Sequence, residues 1–370
     1  MMKYKKRLAV IVFCMMTMLL AACGVEKEGS LLENASTKVP SQKGSGLEVQ
    51  FLDIGQGDSI LLTSEGKTML VDAGNNEYGN GLVSYLKERN IDKIDYLIGT
   101  HPDADHIGGL DVVINKLDIG KIYMPKKQNN TKTFEDVLTA ISRKGLKVTA
   151  PKVGDTISLG SATVTILGPM KSYDDNNNCS IVLKVTHGDN SFLLMGDAEL
   201  EAEEDIIESG ADLSATVLKA GHHGSHSSTS QSLLKKVNPT YAVISCALDN
   251  KYGHPHKETM TYFKRANVEV YRTDKQKTIT MESDGKKIVT TTGGASIASS
   301  KTNSNYSANT KAPVKKPGTN KKASYIGNVI SKKFHIPACS SLPKKENQVS
   351  FASRQEAIKE GYDACGRCNP

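Results

Sequence analysis

Four side chains able to bind a metal ion fall within six residues of the stretch Thr100–Gly109, THPDADHIGG: His101, Asp103, Asp105 and His106. Imidazole nitrogens and carboxylate oxygens are the donors that hold divalent cations such as Zn²⁺. Without a cation so dense a cluster is costly, because like charges repel and burial disfavours each charged form. A polar surface turn is the competing reading. Pro102 and the Gly108–Gly109 pair allow the sharp turn that convergence of the donors requires. Further donors follow at Asp197, His222, His223 and His254.

The elements that must position these groups are legible as apolar runs. Ile94–Gly99 reads as a buried strand ahead of the cluster, and a helix-like segment begins near Gly108. Strands are predicted at Leu47–Ile54, Ser59–Thr63, Thr68–Val71, Lys121–Met124, Leu146–Thr149, Ala162–Leu167, Ser180–Thr186 and Phe192–Met195. Others are expected at Ala215–Lys219, Thr240–Ser245, Val268–Tyr271, Thr278–Met281 and Lys286–Thr290, with helices at Tyr78–Asn90, Phe134–Arg143, Glu199–Glu208 and up to about Ala266. Asp72, the His101–His106 cluster, Asp197, His222/His223 and His254 each follow a strand. Strand ends on one edge of a sheet share a crevice, so distant residues can meet there. Seven of the nine histidines lie in such loops, while His187, beside Gly188, reads as a hairpin residue. Cys179 and Cys246, near strands, read as buried thiols.

Composition divides the chain into unlike parts. With 370 residues, no Trp and 31 Gly it suits a loop-rich α/β enzyme better than a helical bundle. The formal charge of +7 is uneven: from Gly293 onward thirteen Lys and Arg face four Asp and Glu, which leaves the body acidic. A basic start (Lys3–Arg7), an apolar run (Leu8–Leu20) and Leu20-Ala21-Ala22-Cys23 resemble a bacterial lipoprotein signal. The resemblance implies cleavage after residue 22 and lipidation of Cys23, so that the protein works outside the cytoplasmic membrane, held to it. An ordinary signal peptide is the alternative. Residues 23–46 read as a polar tether, 47–292 as the main folded domain, and 293–323 as a Ser/Thr/Asn/Lys linker too polar to order itself. In the block 324–370, His335, Cys339, Cys365 and Cys368 suit a tetrahedral structural zinc in place of a large core. A disulfide is the alternative in an exported protein.

The motifs LDIGQGDS, VDAG, THPDADHIGG, MGDA, HHGS and YGHPH occur in the order found in the ComEC-type branch of the metallo-β-lactamase fold, which this region resembles. That branch includes the hydrolase-like domain of competence DNA-uptake channels, and the resemblance is to that domain and not to the channel portion. The resemblance implies an αββα sandwich with a two-metal site at one edge. In such a site His101 and Asp103 would hold one ion, Asp105 and His106 the other, and Asp197 would bridge both. His222 or His223 would complete the second site, with His223 favoured because neighbours on an extended segment point opposite ways. The extra carboxylate leaves Mn²⁺ a competitor to Zn²⁺. The fold usually supplies another histidine before the bridging Asp, but here the region reads DDNNNCS, with Asn178 where the ComEC-type branch carries Asn. Asp53 and Asp58 would position substrate or hold their turn, and Asp72 would hold a loop. His254 would contact a substrate phosphate or donate a proton to a leaving alkoxide. His256 would do the same or begin a helix.

The C-terminal block resembles the zinc-binding module of the Ada DNA-repair protein, with His335 in place of one thiol. That resemblance implies binding rather than methyl transfer. Lys332, Lys333, Lys344, Lys345 and Arg354 give it charge suited to a phosphate backbone, or to an anionic wall polymer. The expectation is a lipid-anchored metal-dependent phosphodiester hydrolase acting on DNA. The alternatives are a phosphoesterase acting on wall phosphocholine or teichoic acid, and a catalytically inert DNA-binding surface protein. No protein partner is inferable.

Overall fold

Strands whose two faces are both covered read as continuous apolar runs, and most of the runs in this chain are of that kind. The computed structural model describes residues 46–299, 325–329, 332–337, 339, 342–351, 354, 357, 360 and 362–365. The signal segment, Cys23, most of the linker and Cys368 lie outside the described residues. The chain divides into two units, Met1–Thr302 and Asn303–Pro370. Among the described residues no helix is long and apolar enough to cross a membrane.

The first unit is a sandwich of two sheets. One contains β1 (Leu47–Phe51), β2 (Ile60–Ser64), β3 (Lys67–Val71), β4 (Lys93–Ile98), β5 (Asp118–Tyr123), β6 (Val148–Thr149), β14 (Thr278–Ser283) and β15 (Ile288–Gly294). Their order is β15-β14-β1-β2-β3-β4-β5-β6. The other contains β7 (Thr156–Leu159), β8 (Ala162–Ile166), β9 (Leu183–His187), β10 (Asn190–Leu194), β11 (Val217–Lys219), β12 (Tyr241–Ile244) and β13 (Glu269–Arg272), in the order β13-β12-β11-β10-β9-β8-β7. Residue alternation explains how each strand serves two cores. Ile60, Leu62, Met69, Val71, Phe192 and Leu194 point between the sheets. Leu61 and Leu70 point outward onto the helices Gly79–Glu88 and Lys132–Arg143. Leu193 and Leu218 point outward onto Leu200–Glu208, Gln231–Val237 and Lys257–Arg265. This is the expected αββα arrangement.

β3, β4 and β5 run parallel, as do β10, β11, β12 and β13. Each parallel set delivers its C-terminal loops to one edge, where the predicted donors lie. The expected strands and helices are present with ends shifted by a few residues. β7 and the helix Gln231–Val237 were not anticipated, although Ser230, whose Oγ accepts from Leu233 N at 3.0 Å, is a start signal legible in the sequence. His187 does end a hairpin strand, but it also joins the sheets, with Nδ1 2.9 Å from Ser283 Oγ and Nε2 3.1 Å from Ser161 Oγ. Cys179 and Cys246 are buried.

The second unit carries β16 (Tyr325–Asn328), β17 (Lys333–His335), β18 (Gln348–Phe351) and β19 (Asp363–Ala364), in the order β18-β16-β17-β19. Its hydrophobic cluster among the described residues is Phe334, Phe351, Ala357 and Tyr362, a core small enough to benefit from a metal cross-link.

One predicted boundary is corrected. The domain does not end at 292: β15 continues to Gly294, Ile297 is 4% exposed within the core under the first sheet, and its N–H donates to Asp53 O at 2.8 Å. Gly/Ala/Ser composition hid one anchoring isoleucine. A chain truncated after Thr292 is expected to lose about 2–5 kcal/mol of stability relative to one ending at residue 299, the range for deleting a buried isoleucine. Urea denaturation of the two chains measures this, and equal midpoints would refute the role of Ile297.

Candidate metal centre

The centre is assembled from loops that follow β3, β4, β10, β11 and β12. Asp72, just past β3, adopts a left-handed φ of 61° and is fully buried. Its carboxylate accepts from Thr100 N at 2.8 Å and Thr100 Oγ1 at 2.7 Å, and pairs with His106 Nδ1 at 2.8 Å. Asp72 is therefore more than a loop holder, because fixing Nδ1 turns His106 Nε2 into the cluster. Gly57 lets the β1–β2 loop close on this region, since a Cβ there would lie 2.1 Å from Asp105 O.

His106 Nε2 lies 3.2 Å from Asp197 Oδ1 and 3.3 Å from His223 Nε2. His223 Nε2 lies 3.4 Å from both Asp105 Oδ2 and Asp197 Oδ2. His101 Nε2 is 4.0 Å from Asp197 Oδ2. Two groups of ligand atoms gather here, His101 with His106 and Asp197, and Asp105 with His106 and His223, and a third combines Asp58, Asp72 and His106, the atoms of each within 4.8 Å of one another. The residues fit divalent cations on the chemistry of these atoms. His101 Nε2 and Asp197 Oδ1 are buried without a hydrogen-bond partner. With the Nδ1 atoms of His106 and His223 facing Asp72 and Ser245 O (3.0 Å), their Nε2 lone pairs face one another. Such a convergence of acceptors requires a shared cation or proton.

The structure separates the other predicted residues. His222 and His223 do not lie on an extended segment. They occupy a tight turn, Gly221–Gly224, with left-handed φ values of 44° and 54°, strained for non-glycine residues. Both rings turn toward Asp197; His223 joins a ligand group, whereas His222, with Nε2 3.7 Å from Asp197 Oδ2, is held by Glu199 through Nδ1 at 2.9 Å. Asp103 stands outside these groups, its Oδ1 taken by Asn176 Nδ2 at 2.6 Å and its Oδ2 3.9 Å from His101 Nε2. Asn178 lies outside these ligand groups: its Oδ1 accepts from Glu199 N at 3.0 Å and Ala202 N at 3.2 Å, capping the helix Leu200–Glu208. Asp53 is likewise structural, its Oδ2 2.5 Å from Ser296 Oγ and 3.5 Å from Lys277 Nζ. His256 begins the helix Lys257–Arg265 and its Nδ1 accepts from His226 N at 2.9 Å. His254 does border the cluster, its ring 5.3 Å from that of His222, with a buried Nδ1 lacking a partner.

Sequence reasoning missed Thr100, Ser180, Glu199, Ser245 and Lys219. Ser180 Oγ takes Asp197 N at 3.0 Å and lies 3.3 Å from His101 Nδ1, so the histidine-free DDNNNCS segment supplies support rather than a ligand. Lys219, the charged end of an apolar run, was the legible signal among them. Its Nζ pairs with Asp58 Oδ2 at 2.8 Å, and Asp58 lies at the base of the cluster, 3.5 Å from His223 Nδ1.

Burial, with His106 adjacent, pushes His101 down to about 4, so it remains a bare ligand at neutral pH. Burial also opposes charge on His106 and His223, but the carboxylates together outweigh it and raise both, Asp197 with Asp72 for His106 and Asp197 with Asp105 and Asp58 for His223. Burial resists ionisation of Asp105, yet His223 and His106 bring it down to about 2. Protons and metal thus compete for the same Nε2 atoms in the metal-free protein. Metal affinity is expected to fall with pH below the raised histidine values, and binding at pH 7 to release protons. Calorimetry in buffers of different ionisation enthalpy counts them, and zero release would contradict this charge pattern.

In the second unit His335, Cys339 and Cys365 also bring ligand atoms within 4.8 Å of one another, all three buried, with His335 Nδ1 3.4 Å from Cys339 Sγ. An imidazole and two thiols fit zinc.

Comparison with known proteins agrees with both units. Residues 311–370 match the family described as metal binding domain of Ada. ComE operon protein 3 of Bacillus subtilis is 31% identical over 251 residues, 63% of this chain and 32% of that protein. Recombination protein 2 of Haemophilus influenzae is 30% identical over 225 residues, 59% of this chain and 26% of that protein. The chain spans about a third or less of the length of these curated relatives. Among solved structures, the metallo-beta-lactamase fold protein YhfI from Bacillus subtilis matches with 15% identity and a TM-score of 0.46, over 64% of this chain and 100% of that one. Residues 52–247, more than half of the chain, match the family described as the metallo-beta-lactamase superfamily, and the chain belongs to it.

Proposed function

We propose that this metallo-hydrolase cleaves phosphodiester bonds in DNA outside the cytoplasmic membrane, to which Cys23 anchors it. The observation that carries the reading is the convergence of metal-binding side chains from His101, His106, His223 and Asp105 near Asp197, with His101 Nε2 and Asp197 Oδ1 buried without a hydrogen-bond partner. A bound divalent pair supplies Lewis-acid polarisation of a phosphoryl oxygen and neutralises its charge.

The chain's own residues do the rest. Asp197, with two buried oxygens directed at different histidines, holds the halves of the site together. Asp72 and Ser245 O fix the His106 and His223 rings, so little reorganisation accompanies binding. Burial, with His222 and His223 nearby, pushes His254 down to about 4. A neutral His254 has an N–H for a phosphoryl oxygen and no spare proton for a leaving alkoxide, which favours the contact role over the acid role.

Choice of DNA over other phosphate esters is supported by the kinship to proteins named for competence and recombination, and by the Ada-type module. The basic charge from Gly293 onward offsets an acidic body when the substrate is a polyanion. The absence of a histidine from DDNNNCS favours one second reading, a DNA-binding protein with an inert centre.

The test is incubation of the protein lacking residues 1–23 with single- and double-stranded DNA in Mn²⁺ or Zn²⁺, beside an Asp105→Ala/His106→Ala variant. Cleavage is expected to need metal and to fall at least about 100-fold in the variant, as loss of ligands implies. Retarded migration without cleavage, abolished by removing residues 324–370, would support the inert reading. Neither effect would redirect the assignment to a small phosphodiester of the cell wall. Anchoring has its own check: Cys23→Ser is expected to move the protein from the membrane fraction to the medium, and unchanged fractionation would exclude a lipid anchor there.

A further inference from the structure

One buried ion pair beneath the centre takes no part in the reaction described above. Lys219, fully buried at the end of β11, places Nζ 2.8 Å from Asp58 Oδ2 and donates to Ala220 O at 3.0 Å. A buried ion pair adds little net stability over apolar residues of similar size, so its location is the informative feature. Asp58 follows β1 in the first sheet, and Lys219 belongs to the second. The pair therefore links the sheets under the ligand-bearing loops.

Asp58 touches three of those loops. Its N–H donates to Asp105 O at 3.2 Å, and its carbonyl accepts from Gly74 N at 2.9 Å. Its Oδ1, buried without a hydrogen-bond partner, stands 3.5 Å from His223 Nδ1, the nitrogen 3.0 Å from Ser245 O. We propose that Lys219 and Asp58 form a positioning pair that holds His223 of the second sheet in register with Asp105 and His106 of the first, and so governs retention of one of two metal ions. By fixing Asp58 Oδ2, Lys219 keeps the carboxylate from swinging onto the His223 ring and drawing it away from Asp105. The other ligand group is held by different partners: Asp72 for His106, Thr100 and Ser180 for His101. Loss of the pair therefore acts on one ion selectively. The inference rests on the metal-centre reading and is independent of which phosphodiester is cut.

The test uses the full chain, Lys219→Met, and Lys219→Met/Asp58→Asn, each titrated metal-free with Mn²⁺, which a thiolate-rich site does not favour. Calorimetry gives stoichiometry and affinity, and thermal melting of the metal-free proteins reports the fold. The unsubstituted protein is expected to take up two Mn²⁺. Both variants are expected to keep the first with unchanged affinity and bind the second about 10–100-fold more weakly, the usual effect of removing a ligand's supporting partner. The double variant should melt like the unsubstituted protein. Two ions bound at unchanged affinity in the variants would overturn the proposal, as would uptake of only one by the unsubstituted protein. Loss of both ions together with the melting transition in both variants would also overturn it, leaving the pair a role in folding alone. An unsubstituted protein that binds no Mn²⁺ would overturn the metal-centre reading as well, a failure distinguishable because it does not involve Lys219.

Discussion

Mutual repulsion among the donor atoms gathered around Asp197 is the constraint on which the rest of the centre depends. Nitrogen lone pairs and carboxylate oxygens a little over 3 Å apart separate unless a shared proton or cation holds them or the scaffold fixes them. The scaffold does so through the far side of each ligand. His106 is tied to Asp72, His223 to Ser245 O, His101 to Thr100 and Ser180, and Asp197 through its own N–H to Ser180. Each tie fixes a ring or carboxylate direction before any metal arrives, which makes the centre a preorganised site rather than a flexible acidic surface.

Those ties hold only because the loops cannot drift, and the loops are held by the sandwich. Two parallel sets of strands end at a common edge, and the interior between the sheets is filled from both sides by Phe51, Met69, Phe192 and Met281. Close packing transmits position, so the edge loops inherit the rigidity of the core. Polar links between the sheets include His187 and Asn190 to Ser283 at one place and Lys219 to Asp58 at another. The first fixes the sheets to each other, and the second does so directly below the ligands.

Backbone strain is also present at the same edge. Asp72, His222 and His223 all adopt left-handed φ values that glycine would tolerate more readily. For His223 the gain is a ring directed at Asp105, Asp197 and His106. For His222 it is a ring at the rim, held by Glu199 and facing Asp197 from the more exposed side. The second unit follows the same logic on a smaller scale, with one imidazole and two thiols converging beside a core of a few side chains.

Much of this was legible in the sequence because it depends on local pattern. Apolar runs marked the strands, donor residues just past strand ends marked the edge, and ordered motifs pointed to the superfamily and its sandwich. His101, Asp105, His106, Asp197 and His223 were all named from residue type and place. The sequence did not reveal that Asn178 caps a helix, that Asp53 binds Ser296, or that Asn176 holds Asp103 out of the ligand groups. Nor did it reveal the pairing of Lys219 with Asp58, 161 positions away. The choice between His222 and His223 rested on an extended backbone that the chain does not adopt there. The physical reason is common to these cases. Donor chemistry and strand periodicity are properties of short segments, whereas the direction of a side chain is set by local φ and by partners that only the closed sandwich brings within hydrogen-bonding distance.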